Sequence, residues 1–154
     1  MFLQLAPVTK VTLGKQISAR DIINLFHATT NVTALSLEFN VRHITDVLTA
    51  LTLGGQSNEI LLPELDTIWV QTFLPRGCGA FAIPALVNMA ASRSPGNTGA
   101  YGVAPLREVL LDTAGDPTTL RVDLNAVLEQ WSHKIDMPRI TCDRLKKSSR
   151  YMVL

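Results

Sequence analysis

Leu35-Ser36-Leu37-Glu38-Phe39-Asn40-Val41-Arg42 alternates apolar and polar residues without a break. Successive side chains of a β-strand point to opposite faces, so this period of two predicts a half-buried strand with Leu35, Leu37, Phe39 and Val41 on its core side. Upstream, Ser18 and Asp21 stand at capping-box spacing ahead of Ile22, Ile23, Leu25 and Phe26, which predicts a short helix over residues 19–28. Residues 2–13 carry β-favouring Val8, Val11 and Leu13, and Pro7 suits an edge position.

Downstream, Thr45 can cap a helix carrying Val47, Leu48 and Leu51, which Gly54 and Gly55 would stop by permitting a left-handed turn, with a strand as the competing reading of the same stretch. Residues 60–62 and 68–74 read as strands, the second with Ile68, Val70, Thr72 and Leu74 on one side and Trp69, Gln71 and Phe73 on the other. A helix follows over residues 80–92 with Pro84 in its first turn. Residues 94–102 hold Pro95, Gly96, Gly99 and Gly102 and read as a long loop, from which Asn97 and Tyr101 can contact a partner. Asp116 and Pro117 open a last helix carrying Leu120, Leu124, Val127, Leu128 and Trp131, while the alternation of Leu120, Val122 and Leu124 also allows an initial strand that turns at Asn125 into a shorter helix, and Pro138 ends whichever element precedes it. No internal repeat stands out. The expectation is an α+β fold: one compact domain with a mixed or antiparallel sheet and several short helices, its body spanning residues 1–133 and a basic C-terminal segment spanning 134–154.

At 154 residues the chain is long enough for one real core. Only 18% of it is charged against 47% hydrophobic, and so lightly charged a surface is weakly self-repelling, which favours subunit contacts. No apolar run reaches bilayer-spanning length, and the N-terminus has neither the charge nor the apolar stretch of a signal peptide. Two cysteines, Cys78 and Cys142, make no disulfide framework, so a reducing intracellular compartment, or incorporation in a particle, is expected.

The charge is segregated. Lys134, Arg139, Arg144, Lys146, Lys147 and Arg150 face only Asp136 and Asp143 in residues 134–150, a formal charge of about +4 in a chain whose net charge is +1. Arg139, Arg144, Lys146, Lys147, Arg150 and Tyr151 are therefore the candidate contacts for nucleic acid or an acidic protein surface, with Tyr151 available for base stacking. A solvated terminus that aids solubility is the plainer account of the same residues.

Cys78 lies between two glycines ahead of a helix start, with Arg76 near, and both features favour a thiolate. Catalysis would also need a base, and His27, His43 and His133 fall on separate elements. The histidines have no metal-ligand spacing, Glu59, Glu64 and Asp66 read as a loop rim, and Gly96, Gly99 and Gly102 lack the order of a phosphate loop, so neither metal nor cofactor is expected. These features favour a non-enzymatic, self-associating structural or assembly protein, such as a virion or particle component, using its basic end as a contact. A small cysteine enzyme built on Cys78 and a monomeric adaptor that binds proteins at a sheet edge or groove are the alternatives.

Overall fold

Ser18 and Asp21 start the first helix as their spacing predicts: the Asp21 amide donates to Ser18 Oγ at 3.2 Å, and the Ser18 hydroxyl donates to the Asp21 carboxylate at 2.7 Å. The computed structural model describes residues 9–13, 17–39, 41–55, 59–72, 82–113, 117–130 and 138–144. In chain order these form β1 (Lys10–Leu13), α1 (Ala19–Ala28), β2 (Ala34–Phe39), α2 (Val41–Leu51), β3 (Thr67–Thr72), α3 (Ala82–Ser92), α4 (Pro95–Thr98), β4 (Glu108–Thr113), α5 (Pro117–Leu128) and β5 (Arg139–Arg144).

The five strands make one sheet in the order β1-β2-β3-β4-β5, and every neighbouring pair is parallel. This corrects the expected mixed or antiparallel sheet: the fold is α/β. The physical reason is the connections. Antiparallel strands can be joined by a tight hairpin, whereas each pair here is separated by a helix-bearing segment that carries the chain back to the starting end.

Residues that alternate along the strands sort into two faces. Leu13, Leu35, Leu37, Ile68, Val70, Val109, Leu111 and Cys142 share one apolar cluster with Ile22, Phe26, Ile44, Val47, Leu48, Leu51, Leu86, Val87, Met89 and Leu124 of the helices. Helix packing is sequential as well, α1 on α2, α2 on α3 and α3 on α5. One layer of helices thus covers one face, as right-handed crossovers between strands in chain order require. Arg121 ties α5 to β5 by donating to the Cys142 carbonyl at 2.7 Å.

The register uncovers a repeat. Val32, Leu35 and Leu37 have the same spacing as Leu65, Ile68 and Val70 and as Leu106, Val109 and Leu111, and all nine are at most 3% exposed. The carbonyls just before each strand form a ladder: Thr9 accepts from the Thr33 and Ala34 amides, Thr33 from Asp66 and Thr67, Asp66 from Arg107 and Glu108, and Arg107 from Arg139. Each strand-helix unit repeats the same entry into the sheet, which is the stacking logic of a solenoid.

Several local expectations change. Val41 begins α2 instead of ending β2, so helical structure starts before Thr45. Residues 60–62 form no strand; Leu61 and Leu62 are buried in a turn where Leu62 takes the left-handed φ of 49°. β4 and β5 were not anticipated, and β5 places Arg139–Arg144 within the sheet, with Cys142 in the core. Gly54 takes φ of 70° just beyond α2, a left-handed conformation that favours glycine; a Cβ there would also lie 2.5 Å from the Tyr101 hydroxyl, the tip of an exposed side chain that can swing aside.

Arg93 fastens the middle units together. It is fully buried, and its guanidinium donates to three backbone carbonyls: Leu51 at 2.8 Å, Leu61 at 2.6 Å and Leu62 at 3.1 Å. Burial lowers its pKa to about 10, which still leaves it protonated at neutral pH.

Leu37→Ala should cost about 2 to 5 kcal/mol, because a fully buried leucine in the central core leaves a cavity. Arg93→Leu should cost about 3 to 5 kcal/mol by stranding three buried carbonyls, and Arg93→Lys should recover little, since a single ammonium cannot span the same three acceptors. Urea unfolding midpoints at constant m-value measure both.

Candidate partner-binding face

The sheet face opposite the helices is built from the other half of each strand. Cross-strand register sets out three rows: Lys10, Ala34, Thr67, Glu108 and Arg139 at the strand starts, Thr12, Ser36, Trp69, Leu110 and Thr141 in the middle, and Glu38, Gln71, Asp112 and Asp143 toward the strand ends. No described helix lies on this face. Trp69 and Leu110 are half-buried and Thr12 is exposed, so the middle row offers an apolar centre with polar flanks.

Trp69 reaches diagonally from β3 to β4, where its indole N–H donates to Asp112 Oδ2 at 2.7 Å. A charge-assisted bond of this kind holds the aromatic ring in one orientation and offsets the cost of a carboxylate that is only 6% exposed. Beside this pair, Ser36 is 3% and Gln71 1% exposed, and Ser36 Oγ and Gln71 Nε2 have no hydrogen-bond partner. Buried polar atoms are normally satisfied, so these two depart from the rule, but with almost no accessible surface they are enclosed and do not face an added molecule.

A second concavity lies where the helices finish and the strands begin. A groove of about 550 Å³ is lined by residues that include Thr52, Leu53, Asn88, Ser92, Asn97 and Tyr101. Ser92 Oγ accepts from the Leu53 amide at 3.0 Å and donates to the Met89 carbonyl at 2.7 Å, while Asn97 Nδ2 donates to the Ala91 carbonyl at 2.9 Å. The glycine-rich stretch contains α4, and it brings Asn97 and Tyr101 to this groove.

Of the other residues singled out by sequence, those among the described residues are dispersed. Arg139 is exposed in the strand-start row and Arg144 ends β5; Lys146, Lys147, Arg150 and Tyr151 lie outside the described residues. So do Cys78, Arg76 and His133. His27 sits 3.1 Å from Glu59 in an exposed pair, His43 belongs to α2, Glu64 is exposed, and Asp66 accepts from the Thr67 hydroxyl at 2.8 Å. Among the described residues His27, Glu59, Glu64 and Asp66 form no common centre, and no group of histidine, cysteine and carboxylate side chains there could hold a metal. Among those residues, too, no helix is long and apolar enough to cross a membrane.

Comparison with protein-family models, with curated proteins and with solved structures gives no significant match.

Sequence reading had set Trp69 and Gln71 on one strand face but missed Ser36 and Asp112 as their neighbours. The available signal was a polar residue in the middle of each apolar strand. Trp69→Phe, which keeps most of the ring and removes the indole donor, should destabilise the protein by about 1 to 3 kcal/mol. Asp112→Asn, which retains an acceptor oxygen, should cost less, and chemical denaturation of both variants checks the order.

Proposed function

We propose that this protein is a non-enzymatic recognition scaffold that binds a protein segment on the helix-free face of its sheet. The observation that carries this reading is the unbroken sequential order of the parallel strands. In doubly wound α/β enzymes, strand order reverses, and the crevice at the reversal receives the ligand. The described strands have no reversal; what their order supplies is one broad face beside one helix layer. A half-buried tryptophan held by Asp112 beside a half-buried leucine suits the aromatic anchor of a protein contact. The recurring apolar spacing is also that of leucine-rich solenoid repeats, a fold-level likeness that supports a binding role without naming a partner.

Among the expectations from sequence, this reading develops the adaptor. A second copy of the chain is one partner that the same face can receive, which would convert the adaptor into the self-associating assembly protein.

The test uses peptides selected from a random displayed library on the intact protein. Trp69→Ala combined with Leu110→Ala should weaken the selected peptides by about 30-fold or more, the loss typical of central contact residues. Val122→Ala, at an exposed position on α5, and Cys78→Ser should bind as the parent does. Loss confined to Tyr101→Ala would move the site to the groove. If Trp69→Ala converts an oligomer to a monomer in sizing experiments, the face is a subunit contact.

A further inference from the structure

The groove beside the ends of α2 and α3 shares no residue with the sheet face, and none of the residues that line it is charged. α2 finishes at Leu51 and α3 at Ser92, and Thr52, Gly54, Asn88 and Ser92 of the lining belong to or directly follow those last turns. The carbonyl ends of two helices repel an anion. An organic cation finds no carboxylate among the lining residues to pair with. Arg93 follows α3 directly, but its guanidinium is buried and spent on three carbonyls. The volume, about 550 Å³, falls within the roughly 300 to 1,000 Å³ of small-molecule sites.

The neutral groups are held in place from below. The Leu53 amide donates to Ser92 Oγ, which donates to the Met89 carbonyl, and the Thr52 hydroxyl donates to the Leu48 carbonyl at 2.8 Å. Asn97 spends one amide hydrogen on the Ala91 carbonyl, which leaves its Oδ1 and its second N–H. Asn88 is exposed at the lining with a whole carboxamide to offer, and Tyr101, 41% exposed, brings an aromatic ring and a hydroxyl over Gly54. Donors and acceptors are thus mixed within one neutral surface, beside the apolar patch of Leu53, Ala91 and Ala100.

We propose that this groove binds a small neutral saccharide. A sugar hydroxyl both donates and accepts, which matches paired carboxamides better than an ion or a purely apolar molecule does. Its ring C–H groups carry the partial positive charge that the negative face of the Tyr101 ring attracts. Asn88 and Asn97 take the hydroxyls, and Tyr101 takes the C–H face. Because the lining is fixed by its own hydrogen bonds, little ordering cost falls on binding.

Amide proton-nitrogen NMR spectra of the full chain test this, with methyl α-glucoside, methyl β-galactoside, methyl α-mannoside, N-acetylglucosamine, maltose and lactose as probes. At about 20 mM a ligand of millimolar Kd is close to saturating. At least one probe should shift the amides of Gly54, Asn88, Asn97 and Tyr101 together and saturably. Tyr101→Ala should weaken that probe by about tenfold or more, whereas Tyr101→Phe, which keeps the ring, should stay within about threefold of the parent. Asn88→Ala, at an exposed position, should weaken it by about fivefold or more through lost hydrogen bonds. Val122→Ala should bind as the parent does. No saturable shift with any probe, or equal binding by Tyr101→Ala and Asn88→Ala, would overturn the proposal. So would saturation of the same amides by acetate, phosphate, free lysine or a library-selected peptide in the absence of any sugar response.

Discussion

The buried Arg93 guanidinium is the interaction on which the arrangement of the middle units depends. Its three acceptors belong to different parts of the chain: Leu51 closes α2, while Leu61 and Leu62 form the turn leading toward β3. The positive charge also lies at the carbonyl end of α2, where the helix dipole favours a cation. Arg93 stands just after α3, and its own carbonyl accepts from the Leu106 amide, the first apolar position of the next repeat. One side chain and its backbone thus bridge three successive units. Taking a guanidinium out of water is costly, and the lowered pKa of about 10 records that cost. The carbonyls offset it, and the geometry that results includes Leu62 in a backbone conformation that leucine seldom adopts.

Sequential stacking then decides which surfaces remain for function. Because every crossover returns on the same side, the apolar halves of the strands are consumed by the helices and the opposite halves are left to one another. That face carries what a structural core avoids: a buried carboxylate on an indole, and a serine and a glutamine with unsatisfied atoms. Local departures from full polar satisfaction tend to collect where a protein works.

Much of the local structure was legible. Ser18 and Asp21 start α1 through contacts three residues apart, Pro117 opens α5, Gly54 turns the chain after α2, and the alternation of Leu35 and Leu37 places both in the core. The site was legible only in part. Trp69 and Gln71 were seen to share a face, but the value of that face comes from Asp112, which register sets beside Gln71 from 41 positions away. Arg93 offered no signal, since its acceptors are backbone carbonyls that every residue possesses.

The sequence by itself determined where helices begin, where the chain turns and which side of the clearest strands is apolar, because capping, glycine geometry and side-chain alternation act over two to four residues. Only the tertiary structure decided that the sheet is parallel, that Glu108–Thr113 and Arg139–Arg144 are strands of it, and that Arg93 is its internal clamp. These depend on backbone groups meeting across crossovers of 24 to 41 residues, where hydrogen-bond partners are chosen by the stacking of whole units and leave no local pattern to read.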